Sequence, residues 1–267
     1  MSVAYQIGSA LDVGLKRKGK TNQDAIRMKL PGWFNRRPPL LVLSDGMGAY
    51  GGGEVASRLA VDTLSKFYRR RKIVQDGYLD VLKSGIGVVH QAITRKARRR
   101  KGLEWMGCTI VAAILTEEEI HLANVGDSRA YLIKPDKIEL ISHDHSLVAE
   151  QVRLGLITEL EARSHPRRNV LSLSLTGRRE NAPPYLASLP WGPDDTLLLC
   201  SDGLWGPVTE AQIHSVVLEL EPQKAADKLV QLANTQGGPD NISVIIARHA
   251  GAQSAQVSRM DDTKPGF

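Results

Sequence analysis

The sequence predicts an α+β fold in which helices pack on antiparallel sheets, and three observations predict it. Short apolar runs bounded by turn residues recur at 40–44, 108–115, 120–126, 129–133, 196–201 and 242–248, and read as buried strands. Helical periodicities fall in groups between those runs rather than alternating with each of them. No internal repeat and no long Pro/Gly linker interrupts the chain. A single domain over 1–249 is therefore expected, with 250–267 as a small polar tail that frays.

The elements follow in order. Residues 5–14 and 24–30 read as strands, separated by the basic loop KRKGKTN. LLVLS (40–44) is the first clear buried strand. In GEVASRLAVDTLSKFYRR, Val55, Leu59, Ala60, Leu64, Phe67 and Tyr68 share one helical face. A second helical pattern covers 76–98, with Leu79, Leu82, Ile86, Val89 and Ile93 on its stripe. CTIVAAIL, IHLANVG, RAYLI and KIELIS, separated by TEEE, GDS and KPDK, read as an antiparallel meander. Residues 145–185 mix short helical pieces with Pro- and Arg-rich connections. TLLLCS is a further buried strand, helices are predicted at 209–219 and 222–235, and ISVIIAR at 242–248 is the last strand.

Composition excludes several classes. No stretch approaches the roughly 18–20 apolar residues of a membrane span. The first residues lack a basic segment followed by an apolar one, so no signal peptide is expected and a cytoplasmic location is the simplest reading. The two cysteines, Cys108 and Cys200, sit inside apolar runs and read as small core residues. The net charge of +6 is concentrated in RRRK (69–72) and RKARRRK (95–101). These runs read as solvated helix ends, and with no interleaved aromatics they argue against a nucleic-acid platform.

Two apolar runs lead straight into Ser-Asp-Gly, at SDGMG (44–48) and SDGLW (201–205). A carboxylate at the end of a buried strand is costly unless something pairs with it. Asp127 (GDSR) and Asp240 (GPDN) also sit at turns beside apolar strands, and Asp24 (NQD) begins one. Taken singly, each is an ordinary turn former. Taken together, five carboxylates call for cations. An all-oxygen set with no His or Cys cluster selects hard ions such as Mg²⁺ or Mn²⁺. Two such ions activate a bridging water and clamp a phosphoryl oxygen.

The ordered set GLKRKGKTNQD, LSDGMGAYGGGEVAS, ANVGDSRAYLI, SHDHSLV, HPRRNVLSLSLTG, LLLCSDGLW and GGPDNISVII resembles the metal-dependent serine/threonine protein phosphatases (PPM, or type 2C) in their compact bacterial form. The resemblance implies a four-layer αββα sandwich, two antiparallel sheets with a helix pair on each outer face. It implies that Asp45 bridges two ions and that Gly46 gives its carbonyl. Asp202 and Asp240 then hold the first ion, Asp24 serves the second through water, and Asp127 takes a third, weaker one. Asn241 orients the site from behind, and Arg17 receives the phosphate, as a forked guanidinium suits better than an ammonium.

Arg17 departs from the family spacing. It precedes Asn22 by five residues where three is usual, so Lys16, Lys18 or Lys20 are alternatives. Tyr50 stands where a histidine is common and reads as a surface aromatic on a loop, the alternative being a group that narrows the cleft mouth or touches substrate. His143 and His145 flank Asp144 in a turn-forming motif, with Ser146 starting a helix. Glu54 and Ser57 are expected to fix the loop after DGMG by hydrogen bonds. Residues 147–180 correspond to a flap whose arginines, Arg163, Arg167, Arg168, Arg178 and Arg179, face acidic or phosphorylated partners. The implied partners are phosphorylated proteins, a Ser/Thr kinase and its substrates, and a monomer is expected. The alternative is a pseudophosphatase that binds partners with little turnover.

Overall fold

Strands that are apolar on both faces need cover on both faces, and the architecture supplies it. The computed structural model describes residues 5–31, 37–48, 52–70, 77–179 and 181–249, with Arg163 described by its backbone alone. The chain begins with β1 (Tyr5–Asp12), β2 (Asp24–Lys29) and β3 (Leu40–Met47). The long helices α1 (Gly53–Arg70) and α2 (Gly77–Arg99) follow. Next come β4 (Gly107–Cys108), β5 (Ile110–Leu115), β6 (Glu119–Val125), β7 (Arg129–Ile133) and β8 (Ile138–Leu140). Short helices α3 (Leu147–Arg153) and α4 (Glu159–Ser164) lead to β9 (Leu175–Thr176), β10 (Tyr185–Pro190) and β11 (Thr196–Cys200). The chain closes with α5 (Asp202–Trp205), α6 (Glu210–Glu219), α7 (Pro222–Thr235) and β12 (Ile242–His249).

One sheet has the order β1-β12-β11-β7-β8. The other runs β10-β6-β5-β3, with β2 on the far side of β3 and the short β4 and β9 extending it at one end. All pairings are antiparallel. Alternate residues of each central strand enter different apolar layers. Ile110, Ala112 and Ile114 pack with α1 and α2, while Val111, Ala113 and Leu115 pack between the sheets. Leu197 and Leu199 join the same inter-sheet layer, while Leu198 and Cys200 pack with α6 and α7. Three apolar layers separate four layers of structure, an αββα sandwich. Both cysteines are buried and unbonded to each other.

The expected meander breaks in one place. β6 lies in one sheet and β7 in the other. The chain crosses between them at Gly126, whose φ of +101° suits glycine. A Cβ there would also stand 2.6 Å from Thr109. The crossing delivers Asp127 to the edge of the sandwich. β10 starts at the last residue of the stretch read as connection and runs on through 186–190, for which no element was predicted. As an edge strand of mixed burial it carries no apolar run, and it ends on Pro190. The first Ser-Asp-Gly is not a turn either, since β3 continues through Asp45 to Met47. Among the described residues no helix is long and apolar enough to cross a membrane. Tyr50, the end of the RRRK run, the Arg163 side chain and the 250–267 tail lie outside what is described.

Candidate metal centre

Asp24 and Asp45 are cross-strand partners, first residue of β2 against the end of β3. The Asn22 side chain accepts from the Asp24 backbone N–H at 2.9 Å and sets the strand's start. Thr109 breaks the strand between β4 and β5 and clamps Asp45 from the other side. Its N–H donates to the Asp45 carbonyl at 2.8 Å, and its hydroxyl accepts from the Asp45 N–H at 3.0 Å. The same hydroxyl meets Ser128 Oγ at 2.7 Å, next to Asp127.

The second wall comes from the other sheet. Asp202 opens α5 directly after β11, and Ser201 beside it donates to Asp24 Oδ2 at 2.7 Å. Ser243 of β12 contacts the Ser201 hydroxyl at 3.0 Å. Asp240 lies just before β12, with Oδ1 accepting from the Asn241 N–H and Oδ2 accepting from Arg17 Nη2, each at 2.8 Å. Asn241 stitches two loops together. It accepts from the Gln23 N–H and donates to the Val13 carbonyl, both at 2.8 Å. Trp205 Nε1 donates to the Asp127 carbonyl at 3.0 Å, and its ring lies 3.8 Å from the Arg129 guanidinium. Arg129 in turn grips Asp144 through Nη2 at 2.7 Å and Nε at 3.0 Å. The motifs GDSR, DHS and SDGLW thus meet in one network.

The carboxylates feel one another. Burial, followed by the charges of Asp202 and Asp240, pushes Asp24 up to about 7. Burial and then Asp202 push Asp127 up to about 8. Burial and then Asp240 push Asp202 up to about 6. Asp45, with Asp24, Asp202, Asp127 and Asp240 around it, is raised well above the usual carboxylate range, burial being the largest cause. Asp45 and Asp202 keep part of their surface open to solvent, so they are deep but not sealed. Asp24 Oδ1 and Asp202 Oδ1 are buried without a hydrogen-bond partner. Buried carboxylate oxygens without a hydrogen-bond donor, in a cluster of raised acids, are suited to a cation. The donor set is all oxygen, which fits Mg²⁺ or Mn²⁺. As the side chains stand, no three His, Cys, Asp or Glu among the described residues are grouped closely enough to hold an ion, so binding needs the carboxylates to draw together.

Gly46 is held by close approach. Its N–H donates to the Gln23 carbonyl at 3.0 Å, and a Cβ there would stand 2.1 Å from the Gly53 carbonyl at the start of α1. Gly46→Ala is therefore expected to destabilise the fold by about 2–4 kcal/mol, read as a lowered thermal midpoint. An unchanged midpoint would show that α1 yields freely.

Arg17, on a short 3₁₀ turn, is half-buried, whereas Lys16, Lys18 and Lys20 are exposed. Of the basic residues in that loop it is the one paired with Asp240. His143 stacks on Tyr185, His145 lies against Gly126, and Ser146 caps α3. Glu54 has a buried Oε2 without a hydrogen-bond partner, and residues 49–51 of the loop it was expected to fix lie outside what is described. Ser57 reaches only the Glu54 carbonyl, at 3.5 Å within the helix. Sequence reasoning missed Thr109, Ser128, Ser201, Ser243 and Trp205. Ser128 and Ser201 directly flank an aspartate and Trp205 and Ser243 follow one by three residues, whereas Thr109 carries no such signal in the sequence.

The family model for Protein phosphatase 2C matches residues 14–237. The chain belongs to the protein phosphatase 2C family. As a member of that family it is a protein phosphatase, an enzyme of the hydrolase class. It is 36% identical over 215 residues to the serine/threonine phosphatase stp of Listeria innocua, covering 79% of this chain and 84% of that protein. The crystal structure of serine/threonine phosphatase Stp1 from Staphylococcus aureus superposes with a TM-score of 0.84 at 34% identity, over 94% of this chain and 96% of that one. The catalytic domain of the phosphatase PstP, crystallised with two manganese ions, superposes with a TM-score of 0.80 at 30% identity, over 92% and 98% of the two chains.

Proposed function

We propose that this phosphatase hydrolyses phosphoserine and phosphothreonine on proteins with two Mn²⁺ or Mg²⁺ ions. Asp45 and the Gly46 carbonyl would help to hold both ions. Asp202 and Asp240 would serve the first, Asp24 the second, and Asp127 a third and weaker one. When bound, the ions supply the Lewis-acid chemistry that makes water a nucleophile near neutral pH and neutralises phosphoryl charge. The protein's own part is to hold five carboxylates at the edge of the sandwich and to stiffen them from behind. Asn241, Ser201 and Thr109 do the stiffening. Arg17 leaves Asp240 to grip the non-bridging phosphoryl oxygens and orient the ester. No covalent phospho-enzyme is required. Burial pushes the Cys108 thiol up to about 12 and raises Cys200 as well, so neither offers a thiolate.

The observation that carries this reading is the pair of buried, unpartnered oxygens on Asp24 and Asp202 within a cluster of acids that repel one another. Against the alternative of a partner-binding pseudophosphatase stands Arg17, which reaches Asp240 despite its unusual spacing. The proposed substrates are the phosphoproteins made by a Ser/Thr kinase, in the cytoplasm, with residues 1–249 acting as one domain and the chain as a monomer. The test is phosphate release from a phosphothreonine peptide in Mn²⁺ and in EDTA. Turnover only with the metal is expected. Metal-independent turnover, or none from a folded metal-bound protein, would overturn the reading. Arg17→Ala is expected to raise KM for the peptide by about 10- to 100-fold with a smaller change in kcat. Unchanged constants would move phosphate binding to a neighbouring lysine.

A further inference from the structure

Away from the aspartates, a groove of about 550 Å³ runs along the C-terminal half of α2. Arg95, Arg98 and Arg99 line it from the helix and Arg179 from the segment after β9, with His90 and Thr94 between them. The three helical arginines share one face at i, i+3 and i+4. Among the described residues no carboxylate forms an ion pair with any of these four guanidiniums. Four exposed like charges around one concavity make a local positive potential that favours a polyanion.

The position of the groove says which polyanion. Gly46 and Met47 of β3 pair with Cys108 and Gly107 of β4. These pair with Leu175 and Thr176 of β9, and His90 Nε2 donates to the Thr176 carbonyl at 3.0 Å. Two strand spacings, about 10 Å, therefore separate the strand of Gly46 from the edge of the groove. One further guanidinium stands between. The Trp105 carbonyl lies beside Gly48, and Arg178 stacks 3.3 Å over the exposed Trp105 ring. An extended polypeptide covers about 10 Å with three residues.

We propose that this groove holds a second phosphate, or a run of acidic side chains, on the substrate protein, about three to six residues from the phosphoresidue being hydrolysed. The inference rests on the phosphatase reading above and names the substrate class that it favours. Nucleic acid fits less well, since Trp105 already has a ring face covered by Arg178 and offers a poorer stacking platform.

The test compares a phosphothreonine peptide with versions carrying a second phosphoserine four residues before or after it. Wild type is set beside Arg95→Gln/Arg98→Gln/Arg179→Gln, with p-nitrophenyl phosphate as a small substrate that never reaches the groove. Wild type is expected to favour one doubly phosphorylated peptide by about tenfold in kcat/KM, an advantage that fades with salt. The triple variant loses that advantage while its turnover of the singly phosphorylated peptide and the small substrate stays unchanged. No preference in wild type, or a preference that survives in the variant, overturns the proposal. So does displacement of a labelled doubly phosphorylated peptide by duplex DNA at lower concentration than by its unlabelled self. Binding of that peptide, read by fluorescence anisotropy, needs no turnover. Charge-dependent binding without hydrolysis would remove the phosphatase reading and leave the groove's preference standing.

Discussion

Asp45→Asn and Asp202→Asn each lower metal-dependent turnover of a phosphothreonine peptide by at least about 10³-fold, the loss expected when a ligand to a catalytic ion is neutralised. The two sites fail for different reasons. Asp45 stands where β2, β3 and β4 meet and is surrounded by every other carboxylate of the cluster. Removing its charge weakens both ions. Asp202 comes from the opposite sheet, and its unpartnered oxygen has no other use in the structure. Both variants fold, because an amide is isosteric with the acid and relieves repulsion. Phosphate-release assays with circular dichroism as the folding control read the result. A folded Asp45→Asn enzyme with more than about a tenth of wild-type turnover would remove Asp45 from the centre of the account.

In EDTA, the thermal midpoint of the wild-type protein falls by roughly 10 °C between pH 5 and pH 8. The sign follows from the direction of the shifts. Asp24, Asp127 and Asp202 have folded-state values near 7, 8 and 6, and Asp45 is also raised, all above the unfolded value near 4. A raised acid binds its proton more tightly in the fold than in the unfolded chain. Its stabilising contribution is complete below the unfolded value and is lost as pH rises through the folded one. Above pH 8 the metal-free site holds several uncompensated charges. Mn²⁺ replaces the protons, so the midpoint in excess metal stays nearly flat over the same range. Differential scanning fluorimetry in EDTA and in Mn²⁺ measures both curves. A flat or rising midpoint in EDTA would show that burial and mutual repulsion do not raise these carboxylates.

The layers of the fold were legible because the sandwich covers its central strands on both faces. That is why 40–44, 110–115, 196–200 and 242–247 are continuous apolar runs rather than alternating ones. The elements that escaped are those whose sequence carries no such pressure. β10 is a half-exposed edge, and the crossover at Gly126 looks like any Gly-Asp turn. At the site, an acid directly after an apolar run stands out because it is expensive there. The hydroxyls of Thr109, Ser201 and Ser243 that clamp the acids do not stand out, since small polar residues at strand ends are common. Arg17 was legible only by resemblance, and its bond to Asp240 closes a separation of 223 residues that spacing alone could not bridge.

The most direct test of the central claim is an anomalous difference map at the manganese edge from crystals grown with Mn²⁺. The account predicts two strong peaks flanking the Asp45 carboxylate, one shared with Asp202 and Asp240 and one towards Asp24, with a weaker third near Asp127. Manganese found only elsewhere, or no peak beside Asp45 in crystals of active protein, would contradict it.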